Sequence, residues 1–325
     1  MNRRRFLACV LTSPLISQPG IAQTRNVPFR VGWLTAQQPS SLEPYIAALR
    51  LGLAEQGLEE GHNLTIEYKY GNDDINRVTE LANELLREDV RVILAQGAAV
   101  RVLAKMNLPI PVIYAFSGDP VTAGLASSYN RPSRNMTGVT FMAAELNKKR
   151  LEFLRQLVPD LRRVAIIGNP EHPGEQLERA VSLDAGRQFG VDVDYYPTGT
   201  NDDLDRAFSH FSSTEPQAIS VFSDGFTLQN RGRIIDFANQ HRMPVISGWP
   251  IFAEAGAICT YGPRLTASYR RLATFLLRIL QGEQPESIPI ERPTSFDLVL
   301  NLKAAKALGI AVPTSLLALA ERVIE

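Results

Sequence analysis

From Phe29 onward, short apolar runs rich in β-branched residues alternate with longer segments whose apolar residues recur every three or four positions. The short runs read as strands. They are Phe29–Leu34, Leu64–Tyr70, Arg91–Ala95, Val112–Phe116 and Gly138–Phe141, then Arg163–Ile167, Val191–Tyr196, Ala218–Phe222, Pro244–Ser247 and Ala257–Tyr261, with a late strand at Phe296–Asn301. The longer segments read as amphipathic helices. Leu42, Ile46, Leu49 and Leu53 share one stripe; Ile75, Val78, Leu81, Ala82 and Leu85 share another. Leu151, Leu154 and Leu157 make a third, with Lys148, Lys149, Arg150 and Arg155 expected on its solvated face.

Strict alternation of strand and helix predicts α/β architecture, with parallel sheets covered by helices on both faces. The pattern runs once over about residues 29–141 and again over about 163–261, which predicts two doubly wound lobes facing each other. The turn-rich stretch Arg131-Pro132-Ser133-Arg134-Asn135 marks the approach to a first crossing between them, and Tyr261-Gly262-Pro263 marks a return. The first lobe is expected over residues 28–138 plus 262–292, and the second over 139–261 plus 293–325.

The segment before Phe29 breaks the pattern. Arg3, Arg4 and Arg5 precede the apolar run Phe6–Ile16, and Gly20 and Ala22 supply small residues before a cut at Gln23. This order is that of an export leader over residues 1–22, with a periplasmic destination. The leader fits both general secretion and the twin-arginine route. Of the two cysteines only Cys259 follows the cut, so the mature chain is expected to lack an internal disulfide, with that thiol packed in a strand. Lys+Arg and Asp+Glu are each 34, so the basic balance of a nucleic-acid-coating protein is missing.

In doubly wound sheets ligands bind beyond the carboxyl ends of the strands. The candidate ligand-binding residues there are Trp33, Thr35, Gln96, Gly97, Ala98, Ser117, Gly118 and Asp119 from the first half. Thr140, Asn169, Asp224, Ser247, Trp249 and Tyr261 complete the set. Small and hydroxylated residues leave room for a solute and free backbone N–H groups at helix starts; the same residues also serve as turns and N-caps. Aromatic residues lie near these ends at Trp33, Tyr114, Phe116, Phe226, Trp249 and Tyr261, about half of them expected in the core. There is no G-x-S-x-G, H-E-x-x-H, Walker loop or dinucleotide glycine motif. The histidines show no metal spacing, and His172 reads as a loop residue. The expectation is a binding protein rather than an enzyme, with no cofactor and no metal.

Several stretches together resemble one known family. Gly57–Tyr68 (GLEEGHNLTIEY), Asp119-Pro120-Val121, Arg131–Thr140 (RPSRNMTGVT), Tyr261-Gly262-Pro263, Asn301–Gly309 (NLKAAKALG) and Pro313–Ile324 are similar to segments of the periplasmic substrate-binding proteins of ABC transporters, the group that includes tryptophan- and tyrosine-type binders. Ser133-Arg134 departs from that family's usual Gly-Gly. The resemblance implies a type I binding-protein fold, two α/β lobes joined by a hinge of three crossings, that closes on a small molecule as a monomer and presents it to a permease and its ATPase. A sensory role, or an enzyme on the same fold, stays open beside this reading. For an amino acid or aromatic relative, Asp224 is the candidate acceptor for an ammonium. Ser117, Thr140 and the N–H groups of Gly97, Ala98 and Gly118 are candidate donors to a carboxylate. Asp224 as a turn residue is the alternative.

Overall fold

A computed structural model of the chain describes residues 28–325 apart from Arg134 and Ala143; the expected leader lies outside the described residues. The first half contributes β1 (Phe29–Thr35), α1 (Glu43–Glu55), β2 (Leu64–Tyr70), α2 (Val78–Arg87), β3 (Val92–Gln96), α3 (Ala99–Met106) and β4 (Val112–Phe116). A small hairpin, β5 (Ala126–Ser128) and β6 (Arg131–Pro132), precedes β7 (Met136–Thr140). The sheet runs β2-β1-β3-β4-β7, every pairing parallel.

The chain then builds α4 (Leu146–Leu157), β8 (Arg163–Gly168), α5 (Glu175–Phe189), β9 (Asp192–Pro197), α6 (Asn201–Thr214) and β10 (Ala218–Val221). It continues through α7 (Gly225–Gln229), α8 (Arg231–Gln240), β11 (Val245–Ser247), α9 (Pro250–Ala255), β12 (Cys259–Pro263) and α10 (Leu265–Leu280). β13 (Phe296–Asn301), α11 (Leu302–Leu308), α12 (Thr314–Leu319) and β14 (Arg322–Ile324) end it. The second sheet runs β14-β13-β12-β11-β10-β8-β9, with β13 antiparallel to β12.

The stripes explain the layering. Ile46, Leu49 and Leu53 of α1 are buried on one face of the first sheet, and Val78, Leu81 and Leu85 of α2 on the other. The second sheet is likewise sandwiched between two apolar clusters. Helix α10 follows β12 of the second sheet but packs its Leu265, Tyr269, Leu272 and Leu276 into the core of the first. β13 then re-enters the second sheet.

Three local expectations are revised. Arg131-Pro132 is not plain turn but the second strand of a hairpin. The C-terminal segment adds an edge strand, β14, too short to show periodicity. Arg150 is not solvated: it is 5% exposed beneath α4, whereas Lys148 and Lys149 reach outward. A helical stripe wider than three leucines brings it inward, and polar groups receive it there. Its Nε donates to the Tyr261 carbonyl at 2.8 Å and its Nη1 to Asn147 Oδ1 at 2.5 Å.

Candidate functional site

Parallel strands place all their carboxyl ends on one edge of a sheet. Here those two edges face each other and enclose a cavity of about 310 Å³. From the first sheet come Gln96, Gly97 and Ala98 after β3, and Phe116 and Ser117 at the end of β4. From the second come Asn169 after β8, Asp224 at the start of α7 and Trp249 at the start of α9. Gln96, Gly97, Ala98, Ser117, Asn169, Asp224 and Trp249 are therefore the expected site residues that the fold brings together.

Gln96 is buried near the Tyr269 phenol, and its Oε1 accepts from Thr35 Oγ1 at 2.6 Å. Burial holds that phenol well above its ordinary pKa. Gly97 turns left-handed, φ +63°, to pass from β3 into α3. Its N–H donates to the Ala115 carbonyl in the sheet, so it is not available to a solute as expected. Asp224 is 3% exposed. Its Oδ1 accepts from the Thr227 N–H at 2.8 Å in a reciprocal capping box, and its carboxylate still lines the cavity.

Seven expected residues lie elsewhere. Trp33 packs in the first core behind Tyr269, ring centroids 6.1 Å apart. Thr35 sits one layer back, orienting Gln96. Gly118 faces the carbonyl of Pro173, and its own carbonyl accepts from Thr140 Oγ1 at 2.9 Å, which also occupies Thr140. Asp119 accepts from the Thr122 N–H at 2.6 Å and the Tyr129 hydroxyl at 2.7 Å. Ser247 is fully buried and donates to the Val221 carbonyl. Tyr261 packs edge-on against Phe153. Each is at or near a strand end, but its side chain, or for Gly118 its backbone, meets a structural partner instead of the cavity.

Tyr45 and Tyr269, on helices and so without any signal at strand ends, also line the cavity, as does Phe141, the last residue of an expected strand. Tyr45 of α1 and Tyr269 of α10 stack at 4.8 Å, and Phe141 stacks on Tyr269 at 5.6 Å. Burial, helped by the negative Glu254 of α9, pushes the Tyr45 phenol up to about 12. Trp249 packs against the cores of both halves. Arg101, in the first turn of α3, and Asp73 bring charge to the lining. His172, read as a loop residue, lies in that loop but points across the cleft, Nε2 3.1 Å from Ser117 Oγ.

Asp224 and Arg101 provide opposite charges within one cavity, and the aromatic rings provide an apolar wall. That combination can hold a small molecule with both polar ends and an apolar body. Among the described residues no cluster of three His, Cys, Asp or Glu could hold a metal ion.

Residues 38–324 match the family model described as ABC transporter substrate binding protein. The chain is 20% identical over 260 residues to a tyrosine-binding protein of Clostridioides difficile (strain R20291), covering 79% of this chain and 74% of that protein. Among solved structures it is similar to a conserved domain protein from Vibrio cholerae, with 23% identity and a TM-score of 0.82 over 91% of this chain and 99% of that one. It is also similar to an ABC domain in complex with L-Trp from Streptococcus pneumonia, with 19% identity and a TM-score of 0.83 over 91% and 100%. These likenesses extend over both lobes and show the type I binding-protein fold.

Proposed function

Because the chain belongs to the ABC transporter substrate-binding protein family, we propose that it captures an amino acid or an aromatic relative between its lobes, outside the cytoplasm, and delivers it to an ABC permease. The lobes are taken as residues 28–138 plus 262–292 and 139–261 plus 293–325. One observation carries this reading: a buried, already oriented carboxylate, Asp224, opens onto a cavity walled by Tyr45, Phe141, Trp249 and Tyr269. A carboxylate removed from water needs a cationic partner, and a ligand ammonium supplies one. Ser117, the Ala98 N–H and Arg101 are the donors at hand for a ligand carboxylate. The rings take the apolar body. The tyrosine- and L-Trp-binding relatives have ligands of this chemistry.

Mass spectrometry of the solute released on denaturing the purified protein tests the reading. Calorimetry with that solute, L-tryptophan and L-tyrosine follows. An aromatic or apolar amine bound at micromolar Kd, about −8 kcal/mol, is expected. Release of a sugar or of nothing, with no heat from either amino acid, overturns it. Turnover of the bound solute would favour the enzyme reading, for which Ser117 and His172 supply a hydroxyl–imidazole contact.

A further inference from the structure

The loop over residues 169–174, between β8 and α5, belongs to the second lobe but is bonded to the first. Arg101 Nη1 donates to the Glu171 carbonyl at 2.8 Å. Ser117 Oγ meets His172 Nε2 at 3.1 Å. The Asp119 N–H donates to the Pro173 carbonyl at 3.0 Å. The loop is also held from within: Asn169 Oδ1 accepts from the Glu171 N–H, and the Asn169 carbonyl accepts from the His172 N–H, both at 3.0 Å. On its far side lies an outer groove with Lys105 on one bank and Gln176 on the other. Arg101, Glu171, His172 and Pro173 line both the groove and the central cavity, so the loop is the wall between them.

We propose that loop 169–174 is a strap that holds the cleft shut through its own bonds to the first lobe, without a bound solute, and that Gly118 is the positioning residue that lets it dock. Two of the three cross-cleft bonds end on backbone oxygens of the strap, so its docked position depends on how closely the backbones approach. A Cβ built on Gly118 would lie 2.7 Å from the Pro173 oxygen, inside contact distance. A solute's apparent affinity is reduced by the fraction of protein in the binding-competent form. A strap that populates the closed form in advance removes most of that reduction. Gly118, Arg101 and the strap carbonyls then tune affinity through closure.

The test needs no solute, so it stands apart from the proposed function: its failure leaves that reading intact, and the wrong solute class leaves the strap intact. The mature protein is unfolded, dialysed free of bound small molecules and refolded. Spin labels are placed at Lys105→Cys and Gln176→Cys, both exposed on opposite banks of the groove. Cys259 is fully buried and takes no label. One short inter-label distance is expected for the otherwise unsubstituted chain. Gly118→Ala is expected to add a longer one. Its methyl also approaches the Phe116 ring at 2.9 Å, so Arg101→Ala, a change at an exposed side chain, provides a second reading that does not risk the fold. Loss of that one bond should lower the closed-to-open ratio roughly two- to tenfold. Gly232→Ala, whose methyl would meet nothing within 4 Å, should change nothing. A solute-free chain already at the long distance, or Gly118→Ala and Arg101→Ala distributions that match the unsubstituted chain, overturns the proposal.

Discussion

Asp224 serves two purposes at once, and substitutions can separate them. As an N-cap its oxygen satisfies the Thr227 N–H; as an anion it faces the cavity. Asparagine caps a helix about as well as aspartate, whereas alanine does not. Asp224→Asn should therefore leave the melting temperature nearly unchanged and lower affinity for an ammonium-bearing solute roughly ten- to hundredfold. Asp224→Ala should lose the same affinity and about 0.5–2 kcal/mol of stability. Calorimetry and thermal melts on the pair check both. Cys259 is a simpler case. Burial pushes its thiol up to about 12, with the nearby Arg150 charge opposing only in part. A thiol so shifted is almost wholly protonated at pH 8. Alkylation followed by mass measurement should find it unmodified in native buffer and fully modified in denaturant.

Among the elements, the pairing of α1 with α10 decides the aromatic wall. The two helices approach so closely that a Cβ on Gly52 would lie 2.3 Å from the Arg270 carbonyl oxygen. Glu55 and Arg270 form an ion pair at the same contact, and Tyr45 and Tyr269 stack beside it. Alanine at position 52 is a better helix former by about 1 kcal/mol, but the overpacking cost of about 1–3 kcal/mol prevails because backbone cannot rotate away. Gly52→Ala should therefore lower the denaturation midpoint. It should also weaken solute binding, since the helices carry the two tyrosines.

At the scale of the molecule, Arg150 ties together segments that lead into and out of the second lobe. It sits on α4, just after the chain leaves β7, and donates to Tyr261 on β12, just before the chain returns through α10. Its Nη2 lies against Gly248, beside the Ser223 hydroxyl. Burial lowers its pKa, and the buried carboxylate of Glu178 partly restores it. Removing Arg150 leaves the Tyr261 carbonyl and the Asn147 amide oxygen without their buried donor, at about 1–3 kcal/mol each. Arg150→Met should lose roughly that much in chemical denaturation, and Arg150→Lys should not recover it, since an ammonium cannot reproduce the planar fork that reaches Asn147 and Tyr261 together.

Much of this arrangement was legible in the chain alone. The alternation of β-branched runs with amphipathic stripes determined an α/β protein, and its repetition determined two sheets, because each pattern can bury its apolar face only in that layered form. The carboxyl-end rule led to Gln96, Ser117, Asn169 and Asp224, since backbone direction is local information. Whether a side chain at a strand end meets the cavity is not local. Thr140 and Ser247 turned to carbonyl partners, and Tyr261 to Phe153, because neighbouring strands and helices set which face each one presents. Tyr269 reached the cavity on a helix that begins only after the second sheet is nearly complete, and Arg150 found its carbonyl partner on a strand far along the chain. Such meetings are selected by packing between distant segments, which hydrophobic periodicity cannot encode; only the tertiary structure decided them.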